Sequence, residues 1–169
     1  MKKQSNLSRL LQIAGNHKYL TRASWVLSAV SALIALVPYY YIWLVMKEVL
    51  ETAPAFSRAR NLPHNGWMAV LFAVIAVLVY IAGLMCSHLG AFRIATNLRI
   101  QAMEHIVKLP LGLAERIGSG KLRKIVNESS AATETYLAHQ LPDQYRAMAT
   151  VAGLLVLLLA ASMFPNFVV

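Results

Sequence analysis

This chain of 169 residues carries 16 Lys and Arg against 7 Asp and Glu, a net charge of +9, yet 58% of it is hydrophobic and only 14% is charged. An ordinary soluble domain is about 45–50% apolar and about 25% charged, so the composition excludes a typical soluble fold and points to a membrane. One cysteine excludes an internal disulfide framework. The basic residues are spread over several segments with no patch that would track a nucleic-acid backbone, so nucleic acid is not an expected partner.

Residues 1–19 read as a cytoplasmic N-terminal amphipathic segment. Leu7, Leu10, Leu11 and Ala14 recur at helical spacing among basic neighbours, which predicts a short helix lying on the membrane surface and ending near Gly15 and Asn16. The first apolar run, residues 23–46, contains no charge and exceeds the roughly 18 residues that mark a candidate span. It begins too late and runs too long for the apolar core of a signal peptide, which is about 7–15 residues. Pro38 removes a backbone donor and predicts a kink in the outer half of this span. Tyr39, Tyr40, Tyr41 and Trp43 follow it and suit the outer membrane interface. The connection over residues 47–66 holds Pro54, Pro63, His64, Asn65 and Gly66 and reads as an irregular loop.

The second run, residues 67–89, is free of Asp, Glu, Lys and Arg, and the third, residues 147–164, ends before a turn at Pro165 and Asn166. All three runs are apolar all round, which suits lipid or a buried bundle but leaves no face for water. Cys86 in the second run reads as a buried, inert thiol, and His88 near its inner end as a hydrogen-bonding group. The five histidines form no ligand pair at metal spacing, so no metal is expected. The polar members of the spans are limited to Ser, Thr, Tyr, Cys and His, which marks no hydrophilic pathway and leaves substrate-binding residues unassigned.

Residues 90–146 take up about a third of the chain, far beyond the usual connection length. Phe92, Ala95, Leu98, Ala102, Met103, Ile106 and Leu109 recur at intervals that define one apolar helical face. About 20 residues at 1.5 Å each would carry this arm about 30 Å past the bilayer core. Pro110 ends it, Leu111 to Arg116 suit a short helix across the tip, and Gly118-Ser119-Gly120 supplies the next break. A returning helix is predicted from about Lys121, with a kink or interruption at Pro142. Pro110, Gly118 and Gly120 are thus the expected hinges of a helical hairpin.

Orientation follows from Lys and Arg. The N-terminal tail carries Lys2, Lys3, Arg9, Lys18 and Arg22, and residues 90–146 carry Arg93, Arg99, Lys108, Arg116, Lys121, Arg123, Lys124 and Arg146. The 47–66 loop has Lys47, Arg58 and Arg60 against Glu48 and Glu51. The positive-inside rule therefore places the N-terminus and the hairpin in the cytoplasm, and residues 47–66 outside. The string Gly118-Ser119-Gly120-Lys121 is not a phosphate loop. That motif needs Gly five residues before its Gly-Lys, where Glu115 stands, and Ser or Thr after the Lys, where Leu122 stands. No catalytic set or metal cluster appears, so the chain is not expected to be an enzyme by itself.

The stretch LPLGLAERIGSGKLRKIVNESSAATETYLAHQLPD resembles the first intracellular loop of ABC exporter transmembrane domains, the half-transporter type with six spans before an ATPase domain. Leu109-Pro110, Leu113-Ala114, Gly120 and Asn127-Glu128 occupy the places of the family pattern. The chain departs from it at Ala114, where an aromatic is common, at Lys121, where an acid is common, and at Glu128, which replaces Asp. The family domain has six spans and this chain has three, so the resemblance implies residues 20–169 as an N-terminal part of such a domain, from a truncated or split gene. It implies an all-α membrane bundle whose tip residues Leu111, Gly112, Leu113, Ala114, Glu115 and Arg116 form a coupling helix against a nucleotide-binding ATPase domain. Further implied are a second half-transporter, as homo- or heterodimer, ATP and Mg held by the ATPase partner with no cofactor in this chain, transport by alternating access, and a bacterial inner-membrane location. The alternative is a small membrane scaffold or regulatory subunit that uses the hairpin to dock another cytoplasmic partner.

Overall fold

The computed structural model describes residues 10, 12, 15, 18–53 and 59–163. The amphipathic helix expected over residues 7–18 lies almost wholly outside these residues, as do Pro54, Pro165 and Asn166. The described chain forms α1 (Lys18–Ile34), α2 (Val37–Thr52), α3 (Leu62–Val107), α4 (Leu111–Ile117), α5 (Ser119–Thr135), a π-helical turn (Tyr136–Gln140) and α6 (Leu141–Met163). No strand occurs among the described residues. Three stretches, Lys18–Thr52, Leu62–Val107 and Ser119–Met163, are long and apolar enough to cross a membrane. The all-α membrane architecture read from composition is therefore present.

Pro38 does more than kink the first span. The helix stops at Ile34 and restarts at Val37, with Pro38 in the opening turn of α2. A proline at position 38 cannot donate to the carbonyl four residues back and its ring crowds that carbonyl, whereas the first turn of a helix needs no such donor. The Leu36 N–H turns back to Leu33 O at 3.2 Å, which tightens the break.

The second span starts earlier than hydropathy indicates. Residues 62–66, expected as loop, are the first turn of α3. Pro63 pre-sets the backbone angle there and gives up a donor that would have no helical partner. Asn61 donates its N–H to Glu48 Oε1 at 2.8 Å, which fastens this helix start to α2. From Leu62 the helix runs unbroken for 46 residues to Val107, just short of Pro110.

The chain divides into two compact units, residues 1–25 with 84–142, and residues 26–83 with 143–169. In the first unit the core is small and tight. Ala91, Ile94 and Ala95 of α3, Leu137 and Ala138 of the π turn, and Leu141 are all buried. Thr21 of α1 lies against Gly90, where an added Cβ would stand 3.0 Å from Thr21 Oγ1. In the second unit a Cβ on Gly83 would stand 3.2 Å from Leu27 Cβ and 3.4 Å from the Ser28 backbone nitrogen. Small residues at both contacts let helix backbones approach closely, the usual means of helix association in membranes. The same unit holds Tyr41 stacked on Phe72 at 5.8 Å and the Arg146 guanidinium 4.0 Å over the Tyr80 ring.

Two expectations about the arm change. Phe92 and Met103 are exposed, and the inward line instead runs through Ala91, Ile94, Ala95, Leu98, Ala102, Ile106 and Leu109. Adjacent residues on a helix differ by about 100°, so the partner's position decides which edge of a broad apolar stripe turns inward. Gly120, expected as a break, lies inside α5, and Gly118 alone interrupts the chain between α4 and α5.

Candidate functional site

The site singled out by sequence is the tip of the hairpin. Pro110 ends the incoming arm with an extended backbone, φ −56° and ψ 135°, and its carbonyl accepts from the N–H groups of Leu113 at 2.9 Å and Ala114 at 3.2 Å. That opens α4, which contains all six predicted contact residues. Leu111, Gly112, Leu113, Glu115 and Arg116 are exposed, and Ala114 is half-buried. α4 buries none of its residues, and Leu111 is 75% exposed. Gly118 closes the helix at φ 84°, a backbone region that glycine enters without steric cost, and donates its N–H to Ala114 O at 3.0 Å. A short helix with two exposed apolar side chains is thus set off by a proline corner on one side and a glycine corner on the other.

The arms carrying this tip are fastened to each other inside the first unit. Arg99 Nη2 of α3 meets Glu134 Oε2 of α5 at 3.7 Å, with both side chains partly exposed. Such a pair adds at most about 1 kcal/mol. Deeper in, Ser87 Oγ reaches the carbonyls of Leu137 at 3.0 Å and Ala138 at 2.8 Å. Next to it the rings of His88 and His139 meet edge to face, with centroids 4.8 Å apart. The five histidines looked dispersed in sequence, and the fold brings these two together. No group of three or more His, Cys, Asp or Glu side chains placed to hold a metal occurs among the described residues. Cys86 is half-buried, not fully enclosed.

The outward side of the incoming arm is also apolar. Ile100, Met103 and Val107 line an open depression of about 560 Å³ rimmed by Arg99, Glu104 and Lys108. An amphipathic arm exposing both a tip and a flank offers two surfaces that a monomer in water would not leave open.

The chain matches two mycobacterial proteins over most of its length. It is 28% identical over 135 residues, 80% of this chain, to the Mycobactin import ATP-binding/permease protein IrtA of Mycobacterium tuberculosis. It is 27% identical over 138 residues, 82% of this chain, to the protein of the same name from Mycolicibacterium thermoresistibile. These similarities support a transport-related membrane domain. The match takes in 15% of each relative's length. The names of both relatives join a permease to ATP binding, which accords with an ATPase partner for the permease segment, and both say import where the loop pattern implied export. No family model matches the chain, and no solved structure does.

Proposed function

We propose that this chain is the N-terminal part of the membrane domain of an ATP-driven ABC transporter of the exporter build, contributing to the substrate pathway and coupling it to a nucleotide-binding domain held elsewhere. The observation that carries the reading is α4: a short helix at the end of two long arms, with Leu111 and Leu113 turned outward and Gly118 fixing its exit. A docking helix of this kind transmits force because the arms behind it, α3 and α5, are helical over 46 and 17 residues and meet through the Arg99–Glu134 pair. The similarity to two ATP-binding/permease proteins supports the same reading.

In this reading the hairpin and N-terminus are cytoplasmic, the chain sits in a bacterial inner membrane, and a second half-transporter completes the pathway. ATP and Mg bind the partner domain, and this chain holds neither. The relatives' names favour import over the export that the loop pattern implies.

Two measurements test the proposal. The coding sequence following Val169 is expected to specify three further apolar spans and a GxxxxGK[ST] motif, or a neighbouring gene to do so. Unrelated sequence in both places would leave the scaffold reading in possession. A Leu113→Cys protein is then expected to crosslink in membranes to a polypeptide that carries the ATP site. Crosslinking only to other proteins would sink the coupling role.

A further inference from the structure

Pro142 and Ser87 explain each other. A proline at position 142 has no N–H to offer the carbonyls four and five residues back, which belong to Ala138 and Leu137. Those are the two carbonyls that Ser87 Oγ reaches, at 2.8 and 3.0 Å. Just before the proline the Leu141 N–H steps back five residues to Tyr136 O, so the chain runs as a π turn over Tyr136–Gln140. That slip takes from Leu137 O the donor it would have in an α-helix. Leu137 and Ala138 are buried, at 1% and 2% exposure, so water cannot replace the missing donors. Ser87, itself 2% exposed, supplies one hydroxyl proton shared between them.

We propose that residues 136–142 form a hinge in the third long helix, opened by Pro142 and held shut by the Ser87 hydroxyl of α3. Elsewhere in α5 and α6 the ladder of backbone bonds resists bending, while here a single side-chain donor stands in for it. π turns and prolines are the places where helices bend. When α5 is displaced, the bend is taken up at this turn, and Ser87 returns it to one register. The use of the hinge in transport rests on the coupling role proposed for α4, but its existence does not.

Hydrogen exchange by mass spectrometry on the full chain in lipid nanodiscs, with no ATPase present, tests the hinge apart from that role. In the unaltered protein, amides of residues 137–143 are expected to exchange faster than those in the middle of α5. Ser87→Ala is expected to speed exchange there roughly tenfold, the effect of orphaning a buried carbonyl. Pro142→Ala restores an N–H and is expected to slow the same amides by a similar factor. In the Pro142→Ala background, Ser87→Ala is expected to change little, because the carbonyls then have a backbone donor. Ser87→Cys, close in size with a weak donor, is expected to fall between Ser and Ala. Equal effects of Ser87→Ala in both backgrounds would reduce Ser87 to a packing residue and overturn the proposal. So would loosening spread evenly through α3 and α5, or rates indifferent to Pro142→Ala. Failure here leaves the crosslink from Leu113→Cys standing, and failure of that crosslink leaves the hinge standing.

Discussion

Thr21 and Gly90 meet where α1 crosses α3, and the hydroxyl of Thr21 is buried there without a hydrogen-bond partner. The two residues have opposite expectations under substitution. Gly90→Val puts a branched side chain where even a Cβ would be 3.0 Å from Thr21 Oγ1 and 3.5 Å from the Thr21 backbone nitrogen. The backbone cannot yield cheaply, so the variant is expected to lose about 1–3 kcal/mol through overpacking. Thr21→Val keeps the shape and removes the unsatisfied hydroxyl, so it is expected to be neutral or to gain about 1 kcal/mol. Thermal unfolding of both variants in one detergent checks the pair. A Thr21→Val protein that melts well below the parent would show that the hydroxyl has a partner, such as a bound water. Ser24 and Ser31 on the same helix behave differently because each hydroxyl donates to a carbonyl three residues back, at 2.7 and 2.8 Å.

At the level of elements, two glycines separated by one residue carry contrary demands. Gly118 sits at φ 84°, so Gly118→Ala is expected to cost about 1–2 kcal/mol in strain at the tip. Gly120 is helical with open space where its Cβ would be, so Gly120→Ala is expected to stabilise α5 by about 0.5–1 kcal/mol. Protease nicking of residues 110–121 should rise in the first variant and fall in the second. The reverse order would mean that the break lies at Gly120, as the string Gly-Ser-Gly alone suggested. Composition identified the corner but not which glycine makes it, because both residues satisfy the same turn statistics. The spans, α4 and the arm's end before Pro110 were legible because long apolar runs and prolines act locally. Four features were not: the start of α3 at Leu62, the inward turn of Ala91 over Phe92, the meeting of His88 with His139, and the π turn. The last three depend on where a partner helix lies, which periodicity along one helix does not record, while Pro63 at the start of α3 reads equally as a turn residue. Pro142 did announce an interruption, yet nothing local indicated that Ser87 would complete it.

For the molecule as a whole, helix length and exposed surface together require more than this chain shows. α3 has 46 residues, about 69 Å at 1.5 Å per residue, against a hydrocarbon core of about 30 Å. More than half of it must therefore lie outside the hydrocarbon. The polar and charged content of its C-terminal half, with Arg93, Arg99 and Glu104, identifies which end that is. In the third span the most apolar stretch buries none of its residues, so lipid or further helices must cover Leu154 to Leu159. A single crossing of α3 would put Leu113 and Asn61 on opposite sides of the membrane. With Cys86 replaced by Ser, the chain has no thiol, and one cysteine can be placed at either position. Leu113→Cys is expected to react with a membrane-impermeant maleimide only in inside-out vesicles, and Asn61→Cys only in right-side-out ones. Labelling of both from one side would mean that α3 does not cross. Opposite sides in the reversed order would put the basic hairpin outside, where no cytoplasmic ATPase could reach α4, and the coupling role would fall with it.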